Sequence, residues 1–218
     1  MGTVPCREVV DSAGLLLQDS KHVRWTAAEL MKWLNAGQAE AVIYKPNICV
    51  RSIDKVQDKG TKQDLPADGL SLIDIPRNSD GNVITVIPRS SLDAQEPGWH
   101  LPKNASATAL HYCYSELDPK HYYIYPPSPG GSKVELIYNA IPTSVRIDDP
   151  IAIDDIYVSA LVDYVIYRAF SKDSEFAPLS GASAAQHYTN FQNAIRGKAG
   201  SEAATDPNKR DISNPNSK

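Results

Sequence analysis

The stretch LVDYVIYRAFSKDSEF, residues 161–176, decides whether the C-terminal third of the chain is helical. Leu161, Tyr164, Val165, Arg168 and Ala169 recur at the i, i+3, i+4, i+7, i+8 spacing of one helix face. Tyr157, Tyr167 and Phe170 lie partly off that stripe, so the helix is expected to meet partners on more than one side. Lys172, Asp173 and Glu175 mark a polar end, and Pro178 and Gly181 punctuate the chain after it. GASAAQHYTNFQNAIRGKAG then reads as a last helix. Its face is Ala185, Tyr188, Phe191 and Ile195, with basic Arg196 and Lys198 near the C-terminal end. The two helices make a hairpin, and Asp154 or Asp155 is placed to cap its start.

The N-terminal end is helical by the same period. PCREVVDSAGLLLQDSK sets Val9, Val10, Ala13, Leu16 and Leu17 on one side, with Gly14 weakening the helix by ~1 kcal/mol relative to alanine. In WTAAELMKWLNAGQAEAVIYKP, Thr26 and Glu29 have capping-box spacing, and Leu30, Trp33, Leu34, Gly37 and Ala41 form a face that ends at Pro46. Gly37 reads as a point of close approach by a neighbouring backbone.

From Asn47 to about Pro142 short β-branched or aromatic runs alternate with Pro, Gly, Asn and Asp. Candidate strands are NICVRSI, LSLIDIP, VITVIP, ALHYCYSEL, HYYIYP and KVELIYNAIP, the last three reading as a meander in which Tyr112, Tyr114, Tyr123, Tyr125 and Tyr138 stack across strands. DKGTKQDLPADG and RNSDGN read as turns or flexible loops, and SLDAQEPGWHLPKNASAT as a long connection anchored by Trp99. The fold class that follows is α+β: a helical bundle built from both chain ends with an inserted antiparallel β-rich domain. Its expected parts are the N-terminal helices (1–46), the β-rich insertion (47–145), the C-terminal helix pair (146–198) and a polar tail (199–218). The tail carries so little apolar surface that it is expected to stay disordered unless bound to a partner.

The formal net charge of −4 over 218 residues gives no global basic field for a polyanion. Cys6, Cys49 and Cys113 are odd in number and far apart, which argues against a disulfide framework or a zinc site. No apolar run reaches the ~20 residues that span a bilayer, and the N-terminus lacks a signal-peptide pattern, so a soluble protein made in the cytosol is expected.

Catalytic motifs are weak throughout. IDDPIAIDD groups four carboxylates, but helix capping and a proline turn explain them better than a hard metal. PGGSK lacks the first glycine of a phosphate loop and inverts its Lys and Ser, which leaves a simple turn. His22, His100, His111, His121 and His187 have no paired spacing and no nucleophile motif accompanies them. A hydrolase would need a deep pocket joining His111 or His187 to Asp154. No catalytic, cofactor or metal residue is therefore assigned, and no enzyme activity is expected. The tyrosine-rich strands leave open a nucleic-acid-binding module, since rings on a sheet can stack on bases, although Lys120 and Lys133 are flanked there by Glu116, Asp118 and Glu135.

Three stretches together carry a resemblance. LMKWLNAGQAEAVIYKP, with Leu30, Leu34, Asn35, Gly37, Gln38 and Pro46, resembles the N-terminal helix of bacteriophage head-to-tail adaptor (connector) proteins. LDPKHYYIYPPSPGGSKVELIYNAIP is similar to that family's β-segment, and LVDYVIYRAFSKDSEFAPLSGASAAQHYTNF to its C-terminal helix pair, with Ile166 where leucine is usual. The matching blocks cover most of residues 25 to 195; the loop from Asp58 to Gly81 has no clear counterpart.

The resemblance implies a non-enzymatic ring, usually of about twelve copies, docked under the capsid portal protein, with the tail or nozzle protein below. It also implies DNA passing through the channel without sequence-specific binding, a virion location at the head–tail junction, and no membrane partner. Within that reading Trp33, Tyr157, Tyr167 and Phe170 are the candidate subunit-interface residues, and Lys209, Arg210, Asp211 and Ile212 of the tail are candidate portal contacts.

Overall fold

The computed structural model describes residues 2–173 and 178–203, and the chain divides into two compact units. One comprises 1–45 with 144–218 and the other 46–143. In chain order the elements are α1 (Cys6–Leu16), α2 (Ala27–Tyr44), β1 (Val50–Val56), β2 (Gly60–Asp64), β3 (Gly69–Asp74), β4 (Thr85–Val86) and α3 (Arg89–Gln95). There follow β5 (His111–Tyr114), β6 (His121–Ser128), β7 (Lys133–Ala140), α4 (Val158–Asp173) and α5 (Pro178–Ala203). This is the α+β arrangement, with the N-terminal helices packed against α4 and α5 and the sheets lying between them in sequence.

In the helical unit, α1 buries Cys6, Val9, Val10 and Ala13, and Leu17 just beyond its end. Leu16 departs from the expected face. It is 65% exposed, at the edge of the buried arc, which is centred instead on Cys6, Val10, Ala13 and Leu17 and takes in Gly14. Gly14 is where His22 packs: a Cβ there would lie 2.6 Å from the imidazole Cε1. At the start of α2, the Thr26 side chain accepts the Glu29 amide at 3.3 Å. The Glu29 carboxylate accepts from Lys172 at 2.7 Å, so the described contacts form the forward half of the capping box and spend its acid on α4.

The close approach expected at Gly37 is made by a ring instead of a backbone. A Cβ at Gly37 would stand 2.7 Å from Cδ1 of Tyr164, which fixes α2 against α4 at that turn. Two polar residues of the same α2 stretch hold the returning chain. Asn35 donates to the Val145 carbonyl and accepts its amide, both at 3.0 Å, and buried Gln38 accepts the Ala152 amide at 2.6 Å. The N-terminus closes on the same segment. Asp155 accepts from the Thr3 amide, the Thr3 hydroxyl and the Val4 amide, while Cys6 N donates to Asp149 O and Ile151 N to Val4 O. These donors pull the Asp155 carboxyl below its ordinary pKa, the Thr3 side chain first among them.

Leu161, Tyr164, Val165 and Ala169 are buried on α4, together with Ala160 and Ile166. Arg168, placed on the stripe by its spacing, is exposed. Alpha5 packs along α4 through Ala184, Phe191 and Ile195, while Ala185 faces solvent one position off the expected face. Pro178 is its first helical residue, a position where proline lacks nothing the helix needs. The helix passes through Gly181 and Gly200 to Ala203, into the segment expected to be tail.

The β-unit holds two sheets, ordered β1-β7-β3 and β2-β6-β5-β4. The expected meander is broken: β5 and β6 pair antiparallel, but β7 crosses to the other sheet and runs antiparallel between β1 and β3. The PSPGGS link makes that crossing possible, with Gly130 and Gly131 at φ +96° and +85°. Strand β2 lies in the segment read as a turn. It pairs with β6 and buries Thr61 and Gln63, so its inward face is polar and gives no apolar alternation. One pairing, β4 with β5, is parallel. The long connection contains a short helix, α3, and Trp99 does anchor it: the ring is 1% exposed, packed with Leu92 and Cys113 and stacked on His100.

The tyrosines are held mainly by hydroxyl contacts, and Tyr138 belongs to the other sheet. Tyr112 donates to Asp74 at 2.9 Å, Tyr138 to Asp68 at 3.2 Å, and Tyr122 accepts from Gln57 at 3.1 Å. The recorded ring contacts of this unit pair Tyr123 with Trp99 and His100, and Tyr125 with His111.

Candidate subunit interface

Trp33 on α2 and Tyr167 on α4 are each partly exposed and line one open hollow of about 530 Å³ with Glu29, Arg168, Ser171 and Lys172. The helices α2 and α4 that carry these rings are held together by Gly37 against Tyr164 and by Lys172 on Glu29. Tyr167 is also packed from within, 5.6 Å from the Tyr164 ring and 4.6 Å from Tyr188. Phe170 is partly exposed and rests on His187, whose Nδ1 lies 2.7 Å from Asp163.

Tyr157 does not share that exposure. It is 2% exposed, and its hydroxyl accepts from the Lys45 ammonium at 2.7 Å, so it has no ring surface to give a neighbouring subunit. An off-stripe position at the entrance to α4 is reached there by α2, whose C-terminal Lys45 covers it. Lys209, Arg210, Asp211 and Ile212 lie outside the described residues.

A polar network behind the hollow was not visible in the periodicity. Glu40 on α2 accepts from Tyr164 and Tyr188, both at 2.7 Å; Tyr188 and Tyr44 hydroxyls are 2.8 Å apart; Gln192 donates to Tyr44 at 2.8 Å. The network ties α2 to both helices of the hairpin. Burial, reinforced by the Glu40 carboxylate, pushes the Tyr164 hydroxyl up to about 12. The available signal was a glutamate four residues before Tyr44 inside an otherwise apolar helix end.

The groups weighed for chemistry are each engaged with the chain. Asp148 pairs with Arg7, Asp149 accepts the Arg146 amide, Asp154 caps the Ile156 amide, and Asp155 holds the N-terminus. Each histidine has a local side-chain partner: His22 with Asp11, His100 with Thr61, His111 with Thr85, His121 with Asp118 and Asp64, and His187 with Asp163. The His121 ring lies between two carboxylates, Nδ1 at 2.6 Å from Asp118 and Nε2 at 3.4 Å from Asp64. Three sheet tyrosines, Tyr112, Tyr122 and Tyr138, are buried and unavailable for stacking on bases. No described helix is long and apolar enough to cross a membrane.

A family model described as SU10 adaptor protein matches residues 5–211, nearly the whole chain. The chain belongs to the SU10 adaptor protein family. That is a family of phage head–tail adaptors, structural proteins and not enzymes. The comparison with curated proteins gives no match. Within this SU10 adaptor chain the residues that carried the resemblance have mechanical roles: Gly37 seats Tyr164, while Asn35 and Gln38 fasten the chain as it returns from the β-unit.

Proposed function

We propose that this phage adaptor forms a ring joining the capsid portal to the tail or nozzle, with DNA passing through its channel. The single observation that carries the reading is the family match over residues 5–211. Several features of the chain support it. A ring needs a heterologous contact, in which two different patches of each copy meet. The helical unit offers partly exposed aromatic surface at Trp33, Tyr167 and Phe170, on helices held rigidly by the Glu40 network. Trp and Tyr in such positions suit interface anchors, since they bring large area at low entropic cost.

In this reading the helical unit makes the ring, the β-unit meets the tail component, and the polar segment around Lys209–Ile212 folds against the portal. The adaptor sits in the virion at the head–tail junction, and its net charge of −4 suits a wall that DNA slides past without being gripped. The test is to mix the purified chain with the portal protein and image the product by electron microscopy. A ring seated on the portal is expected, and a chain truncated after Gly200 should dock more weakly. Unchanged docking of the truncated chain would remove the tail from the mechanism.

A further inference from the structure

Strand β1 presents a regular open sheet edge. It lies at one side of the β1-β7-β3 sheet and pairs with β7 over all seven of its residues without a register shift. The bonds from Ala140 N to Cys49 O and from Gln57 N to Ser132 O fix the phase of the ladder, so Arg51, Ile53 and Lys55 turn their backbone groups to β7. Val50, Ser52, Asp54 and Val56 therefore turn theirs outward, and all four residues are exposed. Among the described residues these outward groups take one side-chain contact, from Lys55 Nζ to the Val56 carbonyl at 3.3 Å.

The other edges of the two sheets are broken or short. In β3 the register shifts twice and the Leu72 amide donates to the Tyr114 hydroxyl at 3.2 Å; β2 shifts between Gly60 and Lys62; β4 has two residues. Folded chains blunt a long edge with proline, a bulge or unpaired charge, because it otherwise pairs with another strand. Strand β1 has neither proline nor bulge. Two of its three charged residues are spent within the chain, Arg51 on Asp68 at 2.6 Å and Lys55 on Asp58 at 3.8 Å.

A row of outward amides and carbonyls is met in full by an extended main chain, and the sequence of β1 selects which one. VRSIDKV reads alike in chemical class from either end about Ile53: valine with valine, arginine with lysine, serine with aspartate. We propose that two free copies pair antiparallel through β1, about a two-fold axis at Ile53, joining their three-stranded sheets into one continuous sheet. In that register outward residues meet outward residues. Val50 faces Val56 of the second copy, Ser52 faces its Asp54, and Ile53 faces Ile53. Arg51 comes opposite Lys55, and each keeps its own carboxylate, Asp68 or Asp58. A two-fold contact closes on itself and does not propagate a ring, so the pair is a state of the chain away from the portal and stands apart from the ring reading.

The two Ile53 residues would form a non-hydrogen-bonded pair with Cα atoms ~4.5 Å apart, within disulfide range, and the native thiols are all buried. Full-length Ile53→Cys under mild oxidation should give several-fold more disulfide dimer than Leu117→Cys, a site 97% exposed and off the edge. Adding Ser52→Pro removes an outward amide and leaves the bonds to β7 in place, so the yield should fall to that of the Leu117→Cys control. Val50→Lys with Val56→Lys should give the same loss by repulsion, with the thermal melt of the chain showing that the fold persists. In sedimentation velocity the unaltered chain should run as a dimer that gives way to monomer on dilution. Monomer at every concentration, equal cross-linking at positions 53 and 117, or a dimer that both sets of substitutions leave intact overturns the proposal. Cross-linking of Ile53→Cys to a portal or tail protein alone gives the edge to another occupant and overturns it too. Electron microscopy keeps the two readings distinct: the Ser52→Pro chain should still form rings on the portal, and loss of those rings would show that the edge serves the ring instead.

Discussion

Gly37 has no side chain because Tyr164 occupies the space where one would be. Alanine there gains up to about 1 kcal/mol of helix propensity but must displace a buried ring, and overpacking of that kind costs about 1–3 kcal/mol. Gly37→Ala is therefore expected to lower the urea midpoint of the helical unit, with little change in the slope of the transition. Tyr164 gives a second, pH-resolved readout at this seam. Its hydroxyl is raised from the ordinary 10 to about 12 by burial and Glu40, so the fold favours the protonated phenol. The stability it supplies is complete below pH ~10 and is lost as pH rises through about 12. Tyr164→Phe should flatten that alkaline loss in a series of denaturant melts, and an unchanged profile would mean another group titrates.

At the scale of elements, the N-terminal segment is fastened by one carboxylate. Asp155 accepts three donors from Thr3 and Val4, and its pKa is lowered, so this tether is present above the ordinary carboxylate pKa and is lost as pH falls through the depressed value. Asp155→Ala should speed amide exchange in the first seven residues at neutral pH while α4 stays protected; equal loosening of both would show a general loss of stability and not a local tether. The elements legible in the sequence were those whose burial follows a single period. The α4 stripe of Leu161, Tyr164, Val165 and Ala169 and the capped start of α2 belong to this group.

Beta2 escaped because Thr61 and Gln63 are polar yet buried, satisfied by His100 and by backbone carbonyls of Asp58 and Gly60. The place of β7 escaped because pairing is a choice among partners that no local pattern encodes. The interface residues divided for the same kind of reason. Off-stripe position flagged Tyr157 and Tyr167 alike, but Tyr157 is buried with its hydroxyl on the Lys45 ammonium while Tyr167 stays partly exposed. Arg168 has the spacing of the stripe but is exposed beside the hollow.

Across the whole molecule, the β-unit is an insertion whose ends meet. Its first and last strands, β1 and β7, pair along their full length, and the Ala140 amide donates to the Cys49 carbonyl at 2.8 Å. A segment that enters and leaves through adjacent strands and carries its own buried residues around Trp99 is built to fold alone. A fragment of residues 46–143 should unfold cooperatively with denaturant, and a broad, non-cooperative loss of signal would show that it needs the helical unit. The helical unit, by contrast, needs both chain ends, since α1 and α2 pack on α4. The adaptor-ring reading is tested most directly by electron microscopy of the full-length chain mixed with its portal protein. A closed ring coaxial with the portal is predicted, with neighbouring helical units in contact at Trp33 and Tyr167; a portal left bare, or decorated by isolated copies, would contradict it.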